Sequence, residues 1–205
     1  MSKPLYVFDM DETLINADCA MIWNAFLVEK GIATEPNFIE EDQRLMKLYA
    51  EGKMDMEDYL EFCMAPLSDM PIERVKMLVA ECVDKQILPK QFKQSKTLIE
   101  QLSRDGIDMV IISASVTFLV EAVGRRLGIP TSLGIDLIEQ KGTYSAAISG
   151  IRTRGPTFLS GGYFAGVECA ASIAAEDPAM TPRVLLLSDG RANKGLTDPD
   201  HFFTH

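Results

Sequence analysis

Three short apolar runs, each followed at once by small or acidic polar residues, constrain the fold of this chain most strongly. The runs are Leu5–Phe8 before DMDET, 109–112 before SAS, and Val184–Leu187 before SDG. Their length and their branched side chains are typical of buried parallel strands. Because long helical stretches separate them, we predict an α/β fold with a doubly wound, parallel, Rossmann-like sheet.

The segment between the first two runs carries little strand pattern and is predicted to be helical. We expect helices at 18–30, 38–51, 55–64 and 71–87. About seventy residues of helix exceed an ordinary crossover between parallel strands. The sequence therefore predicts a helical cap, residues 16–88, inserted after the first strand into a core domain made of 1–15 and 89–205.

After the second apolar run, the residue pattern changes at about 130 and the composition changes at about 151. Residues 130–150 alternate apolar and polar side chains around Lys141 and Gly142, which predicts a hairpin or a strand pair. Residues 151–183 contain no lysine and are rich in Gly, Ala and Ser. A helix is predicted there over 161–175.

Composition narrows the classes of partner. The 205 residues are 47% hydrophobic, which suits one globular core with room for a smaller lobe. Thirty acidic residues against twenty basic ones give a formal charge of −10, and such a surface repels nucleic acid and anionic membranes. We therefore expect neither as a partner.

Cysteine usage and the first residues of the chain indicate a cytoplasmic protein. The four cysteines lie far apart in apolar or helix-like segments, which is typical of buried thiols in a reducing compartment. The opening residues MSKPLYVFDMDE form neither a signal peptide nor a membrane span.

Two carboxylates at the end of the first predicted strand form the candidate reaction centre. Asp9 and Asp11 are two residues apart, so both can face one pocket at the carboxyl edge of the sheet. Two such carboxylates repel each other unless a cation lies between them. A divalent ion that prefers oxygen ligands, Mg2+ above all, removes that repulsion and supplies the positive charge that a phosphate group needs.

These residue types support covalent phosphoryl transfer. One carboxylate can attack phosphorus to form an aspartyl-phosphate, while a second carboxylic acid protonates the leaving alcohol and later activates water. The hydroxyl of Ser113, with neighbouring N–H groups, could hold phosphate oxygens after the second strand. Asp189 follows the third strand and could complete a metal site.

The motif FDMDETL, Phe8 to Leu14, resembles the first motif, D-x-D-x-T, of the haloacid dehalogenase-like hydrolases. IISAS is similar to the second motif of that family, and the helical insertion resembles the cap of its phosphoserine-phosphatase-like branch; the likeness spans about residues 4–151. The resemblance implies Asp9 as nucleophile, Asp11 as general acid/base and backbone metal ligand, and Thr13 as support for the loop. It also implies phosphate binding by Ser113 and Ala114, with Mg2+ held by Asp9, Asp11 and Asp189.

The chain departs from the family pattern near its end. The resemblance implies a lysine before the last motif, where this chain offers Arg154 as a replacement, and a second acid where it has Asn193. Guanidinium and ammonium groups are not interchangeable in a tight pocket. With these departures, the resemblance implies a Mg2+-dependent phosphomonoester hydrolase of weakened activity, acting on a small phosphorylated metabolite.

A second resemblance leaves an alternative function open. Residues 155–195 resemble part of a von Willebrand factor A-type domain, with Thr157 and Asp189 at positions of its metal-dependent adhesion site. This implies a non-catalytic, metal-dependent binding module. A folded relic without either activity is a third possibility.

Each site residue also has a simpler structural interpretation. Asp9, Asp11 and Asp189 could be ordinary turn residues, since aspartate favours turns and helix caps. Ser113 could be the N-cap of a helix that begins near Thr117. Neither a dinucleotide-binding nor a P-loop glycine motif occurs in the chain.

Overall fold

A five-stranded sheet forms the centre of the fold in the computed structural model, which describes residues 4–140, 142–151 and 184–187. The strands are β1 (Leu5–Phe8), β2 (Met109–Val116), β3 (Thr131–Gln140), β4 (Thr143–Ile151) and β5 (Val184–Leu187). Their order across the sheet is β4-β3-β2-β1-β5.

Strand directions confirm the predicted fold class. The neighbouring pairs β1–β2, β2–β3 and β1–β5 are parallel, whereas β4 runs antiparallel to β3 at the edge of the sheet. The antiparallel pair is the hairpin predicted for 130–150. Because the chain adds strands on both sides of β1, the sheet is doubly wound.

Six α-helices surround the sheet in the described part of the chain. They are α1 (Cys19–Glu29), α2 (Phe38–Ala50), α3 (Met56–Met64), α4 (Ile72–Cys82), α5 (Lys93–Arg104) and α6 (Thr117–Leu127). The chain continues from α4 as a π-helical turn, Val83–Ile87. The helices α1 to α4 lie between β1 and β2, and they confirm the predicted helical cap after the first strand.

The helix α1 is the buried centre of this cap. Its N-cap is Asp18, whose side chain accepts a hydrogen bond from the N–H of Met21 at 2.9 Å. Trp23, Phe26 and Leu27 are buried in the core that the cap shares with the sheet. Since burial of such large apolar side chains is the main favourable term in folding, cap and sheet stabilise each other.

The two chain segments that join the cap to the sheet run side by side. Ile15 forms an antiparallel bridge with Gln91. The N–H of Asn16 donates to the carbonyl of Lys90 at 2.9 Å, and the N–H of Phe92 donates to that of Leu14 at 3.1 Å. The two chain connections between cap and sheet therefore form one short, paired strip of backbone.

The strand β2 is longer than the predicted run of 109–112. It continues to Val116 because Ser113 and Ser115, which the sequence suggested would follow the strand, are buried at 2% and 8% exposure. Its pairing with β3 is irregular between Ile112 and Val116. Polar residues extend this strand because their hydroxyls find partners inside the protein.

Three of the four cysteines, Cys19, Cys63 and Cys82, are buried free thiols, as predicted; Cys169 lies outside the described residues, as does the helix predicted for 161–175. No helix in the described part of the chain combines the length and the apolar character needed to cross a bilayer.

Replacing Gly124 with alanine should destabilise the fold, although this change usually stabilises a helix. A Cβ at Gly124 of α6 would collide with the hydroxyl of Ser132 and would lie 2.9 Å from the backbone oxygen of Ile129. We expect the free energy of unfolding in urea to fall by about 1–3 kcal/mol. Ser103→Ala, at an exposed position of α5, is the control and should leave stability unchanged or slightly raised. A stabilised Gly124→Ala variant would contradict this packing.

Candidate active site

Asp9 and Asp11 flank a buried residue immediately after β1. Met10 between them is fully buried, at 0% exposure, while both aspartates are half-buried. The Oδ1 atom of Asp9 accepts a hydrogen bond from the N–H of Met10 at 2.8 Å. The core side chain of Met10 thus fixes the backbone at the strand end where both carboxylates start.

A tight turn follows and returns the chain towards the sheet. The N–H groups of Leu14 and Ile15 both donate to the carbonyl of Met10, at 3.0 and 3.1 Å. Glu12 in this turn has φ of 53°, in the left-handed region that non-glycine residues rarely adopt. Such backbone strain persists only where the surroundings hold it in place, as the two hydrogen bonds to Met10 do here.

Asp11 is held by groups from two other elements. Its Oδ1 accepts the N–H of Cys19, the first residue of α1, at 2.7 Å. Its Oδ2 lies 3.2 Å from the hydroxyl of Ser113 and 3.5 Å from that of Ser115, both on β2. The N–H of Ser115 in turn donates to the hydroxyl of Ser113 at 3.1 Å. One carboxylate therefore ties together β1, α1 and β2.

These contacts determine where a proton on Asp11 can sit. A backbone N–H can only donate, so Oδ1 must remain an acceptor for Cys19. Serine hydroxyls can donate or accept, so Oδ2 can carry the proton. Burial raises the pKa of Asp11, against the opposing effect of hydrogen bonds from Cys19, Ser113 and Ser115. A carboxyl with a raised pKa and one free protonation site is suited to general acid/base chemistry.

Asp18 is a second perturbed carboxyl next to Asp11. Burial, and then the nearby charge of Asp11, raise the pKa of Asp18 to about 7. Its N-cap bond from Met21 acts in the opposite direction. The N-terminal end of α1 thus faces two carboxyl groups, and the positive end of the helix dipole partly offsets their charge.

The structure brings three of the predicted residues together at the carboxyl edge of the sheet: Asp9, Asp11 and Ser113. The N-cap interpretation of Ser113 is wrong, since Ser113 lies within β2 and the N-cap of α6 is Val116. Ala114 lies between the two serines, so its side chain points to the other face of the strand and only its backbone could contact a phosphate at this site.

Three other predicted residues, Arg154, Thr157 and Asp189, lie outside the described residues. The strand β5 ends two positions before Asp189, and Leu187 pairs with Phe8, the residue before Asp9. The chain therefore reaches the carboxyl edge of the sheet next to β1 where β5 ends.

The sequence reasoning missed Ser115, Asp18 and the backbone of Cys19. The SAS pattern could have indicated Ser115, because alternate residues of a strand share a face. The sequence could also have indicated Asp18, because it stands just before a strongly apolar helical segment and aspartate is a preferred N-cap residue. No sequence pattern indicates the bond from Cys19 to Asp11, because it depends on how α1 is placed against the strand ends.

The described residues fit a magnesium site in the kind of ligand they offer. Asp9 and Asp11 supply oxygen ligands, which Mg2+ prefers. No group of three His, Cys, Asp or Glu side chains that could hold a metal occurs within the part of the chain that the structure describes. The hydroxyl of Thr13 beside them is buried and has no hydrogen-bond partner among those residues. Water, or oxygen atoms of residues outside the described part, would complete the coordination of the ion.

Asp18→Asn should stabilise the protein at neutral and higher pH. The folded-state pKa of Asp18 is near 7 against an ordinary 3.8, so the charged form costs stability as pH rises between these values. Asparagine retains the capping oxygen without the charge. In urea unfolding without divalent ions, we expect a gain of about 1–2 kcal/mol at pH 8 and none near pH 3.5. Asp55→Asn, at the exposed N-cap of α3, is the control. An equal gain in stability for this variant would refute the claim that burial raises the pKa of Asp18.

Comparisons with known proteins point to one family. The model of the haloacid dehalogenase-like hydrolase family matches residues 6–192. A histidinol-phosphatase of Neisseria meningitidis serogroup C is 27% identical over 66% of this chain and 61% of its own length. A phosphoserine phosphatase of Methanocaldococcus jannaschii is 28% identical over 72% of this chain and 63% of its own. The chain therefore spans less than two thirds of either relative.

Solved structures share the fold. A protein of unknown function from Bordetella pertussis Tohama I superposes with a TM-score of 0.72 at 22% identity, covering 84% of this chain and 76% of that one. A phosphoserine phosphatase with a phospho-aspartyl intermediate analogue gives a TM-score of 0.58 at 21% identity, over 91% of this chain and 78% of its own.

The resemblance of residues 155–195 to a von Willebrand factor A-type domain is not supported. The matched family model continues through this segment to residue 192. Within it, β5 completes the same sheet by pairing with β1. Since this one family model takes in the motif at Asp9 and the helical cap together with that last strand, the chain belongs to the haloacid dehalogenase-like hydrolases.

Proposed function

We propose that this protein is a Mg2+-dependent phosphomonoester hydrolase that acts on a small phosphorylated metabolite through an aspartyl-phosphate at Asp9. The observation that carries the proposal is the environment of Asp11. Its carboxyl has a raised pKa and a single oxygen free for a proton, and it lies two residues from a second carboxylate. This is the combination of acid and nucleophile that the reaction requires.

The contacts support one division of roles between the two aspartates. Both oxygens of Asp11 have hydrogen-bonding partners from α1 and β2, which hold the side chain in one orientation. A group fixed in this way is suited to proton transfer, whereas Asp9 lies at the end of β1 and is assigned the attack on phosphorus. This assignment matches the roles implied by the first family motif.

The reaction then proceeds in two balanced steps. In the first, an oxygen of Asp9 bonds to phosphorus, the bond from phosphorus to the substrate oxygen breaks, and the proton on Oδ2 of Asp11 passes to the departing alcohol. In the second, Asp11 takes a proton from water, the water oxygen bonds to phosphorus, and the bond to Asp9 breaks. Asp11 ends the cycle protonated, with inorganic phosphate as the second product.

Ser113 and Arg154 are the proposed phosphate contacts. The hydroxyl of Ser113 already lies beside Asp11, and a small rotation would let it donate to a phosphate oxygen instead. The backbone N–H of Ala114 is a further candidate donor. Arg154 is proposed at the position where the family has a lysine. An arginine there would hold the phosphate in a different geometry, and we propose reduced activity as the result.

The carboxylates of Asp9 and Asp189 and the backbone carbonyl of Asp11 are proposed to hold Mg2+. The ion would offset the negative charge of the phosphate and of the carboxylates around it. Pairing of Leu187 with Phe8 supports the inclusion of Asp189, since both strands lead to the same edge of the sheet. The net charge of −10 makes such local compensation more important, because the protein as a whole repels an anionic substrate.

Substrate choice is assigned to the cap, residues 16–88, with 1–15 and 89–205 as the core domain. The relatives are named for histidinol phosphate and phosphoserine, so these two compounds are the first substrates to test. The buried free thiols of Cys19, Cys63 and Cys82 support a reducing, cytoplasmic setting. Neither nucleic acid nor a membrane surface is a proposed partner.

Asn substitutions at the two aspartates should reduce phosphatase activity to different extents. Asp9→Asn removes the nucleophile, and we expect hydrolysis of p-nitrophenyl phosphate in Mg2+ to fall at least ~1000-fold. Asp11→Asn removes the base that activates water in the second step and should cost ~100- to 10000-fold. Asp58→Asn, an exposed acid of α3, is the matched control and should keep full activity. Full turnover by Asp9→Asn would eliminate the proposed mechanism.

Removal of divalent ions should abolish turnover reversibly. We expect the chelator EDTA to lower hydrolysis of the same substrate at least ~100-fold, since the phosphate then meets uncompensated carboxylates. Excess Mg2+ should restore the rate, whereas an equal concentration of Na+ should not. Circular dichroism before and after chelation controls for unfolding. Undiminished activity in a metal-free preparation would rule out the magnesium dependence.

A further inference from the structure

The hydroxyl of Ser113 has one hydrogen and two possible acceptors. In the described structure it donates to Oδ2 of Asp11 at 3.2 Å, and it accepts the N–H of Ser115 at 3.1 Å. A serine hydroxyl donates one hydrogen bond at a time. When Ser113 donates to a phosphate oxygen, it can therefore no longer donate to Asp11. The carboxyl loses this donor in the very complex in which its proton is to be transferred.

The hydroxyl of Ser115 is placed to replace that donor. Ser115 lies two residues along β2 from Ser113, and its hydroxyl points to the same Oδ2 atom of Asp11 from 3.5 Å. This distance is long for a hydrogen bond between two oxygens, which usually measures about 2.7–2.8 Å. Ser113 thus has the closer contact in the described structure. A movement of less than ~1 Å would give Ser115 a bond of ordinary length.

Close packing of β3 fixes the backbone at Ser115. An added Cβ at Gly134 of β3 would lie 2.6 Å from the carbonyl oxygen of Ser115 and 2.9 Å from the backbone nitrogen of Thr117. Only a residue without a side chain allows so close an approach. Ser115 is also buried, at 8% exposure. The backbone that carries its hydroxyl therefore has little freedom to move away from Asp11.

A hydroxyl donor at Oδ2 of Asp11 serves the proposed first step in two ways. Oδ1 keeps its bond from the N–H of Cys19 at 2.7 Å, but the carboxyl could pivot about that single contact. A second donor, at Oδ2, fixes the direction in which the proton is delivered. As the proton passes to the departing alcohol, negative charge develops on Oδ2, and a hydroxyl that donates to this atom stabilises the charge.

We propose that Ser115 is a positioning residue that becomes the hydroxyl donor to Oδ2 of Asp11 when Ser113 turns to the phosphate. Ser115 keeps its own proton and contributes a hydrogen bond, while the proton of Asp11 passes to the leaving oxygen. Ser113 then contacts the substrate and Ser115 contacts the acid. This role rests on the proposed phosphatase function, because it concerns the proton transfer of that reaction.

The dependence of the rate on the leaving group tests this role. Phenyl phosphate and p-nitrophenyl phosphate have similar shapes, but phenolate needs a proton on departure far more than p-nitrophenolate does. For Ser115→Ala in Mg2+, we expect kcat/KM to fall at least ~10-fold with phenyl phosphate and less than ~3-fold with p-nitrophenyl phosphate. The ratio kcat/KM covers the reaction only up to departure of the leaving group, so the later role of Asp11 as base does not enter.

Ser95→Ala is the matched control for loss of a buried hydroxyl. Ser95 is 7% exposed, and its hydroxyl donates to the backbone carbonyls of Leu14 and Phe92. We expect this variant to change kcat/KM by the same factor for both esters. An equal fall for both esters in Ser115→Ala, or no fall for either, would overturn the proposal. A parent protein that hydrolyses neither ester would instead contradict the phosphatase function.

A crystal structure of the parent protein with Mg2+ and inorganic phosphate tests the exchange of donors without turnover. We expect Ser113 to donate to a phosphate oxygen, and the distance from the Ser115 hydroxyl to Oδ2 of Asp11 to fall below ~3.0 Å. Bound phosphate with Ser113 still on Asp11, or with the Ser115 hydroxyl no closer to Oδ2 than 3.5 Å, would overturn the proposal even if Ser115→Ala fails to fold.

Discussion

The hydrogen bonds to the carboxyl group of Asp11 organise the functional end of this protein. A backbone donor from α1 binds one oxygen, and two serine hydroxyls of β2 lie against the other. The group that serves the chemistry is thus also the point where the first strand, the first cap helix and the second strand meet. Because these bonds come from α1 and from β2, Asp11 is held in this orientation only when sheet and cap are both in place.

The electrostatics of the site follow from that arrangement. Burial keeps the Asp11 carboxyl closer to its neutral form, while the N-terminus of α1 and the hydroxyls favour its charged form. Such opposed effects suit a group that must both release and recover a proton. Asp18, at the same helix end, has its pKa raised in part by the charge of Asp11. Two acids share one helix terminus, so the charge of one affects the other.

Much of the fold was predictable because it depends on local patterns. The apolar periodicity of α1 to α4 and the short apolar runs of β1 and β5 predicted those elements within a few residues. The end of β2 was not predictable in this way, since Ser113 and Ser115 become strand residues only through burial against Asp11. The backbone hydrogen bond from Ile72 to the carbonyl of Gly142 was likewise hidden, because about seventy residues separate the partners along the chain.

The site was partly predictable for the same reason. Asp9, Asp11 and Ser113 follow apolar strands, and neighbouring parallel strands bring their ends together. Asp18 and the N–H of Cys19 depend on the placement of α1 and needed the structure. A covalent bond between phosphorus and Asp9 is central to the proposed reaction.

Mass spectrometry of an acid-quenched reaction of Asp11→Asn with p-nitrophenyl phosphate tests that bond most directly. Its nitrophenolate departs without a proton donor, so the intermediate still forms, whereas loss of the general base should slow its breakdown. We expect one added phosphoryl group on the peptide that contains Asp9. A phosphoryl group on Ser113 or on any other residue would contradict it. So would slow turnover by this variant with no trapped adduct at any time.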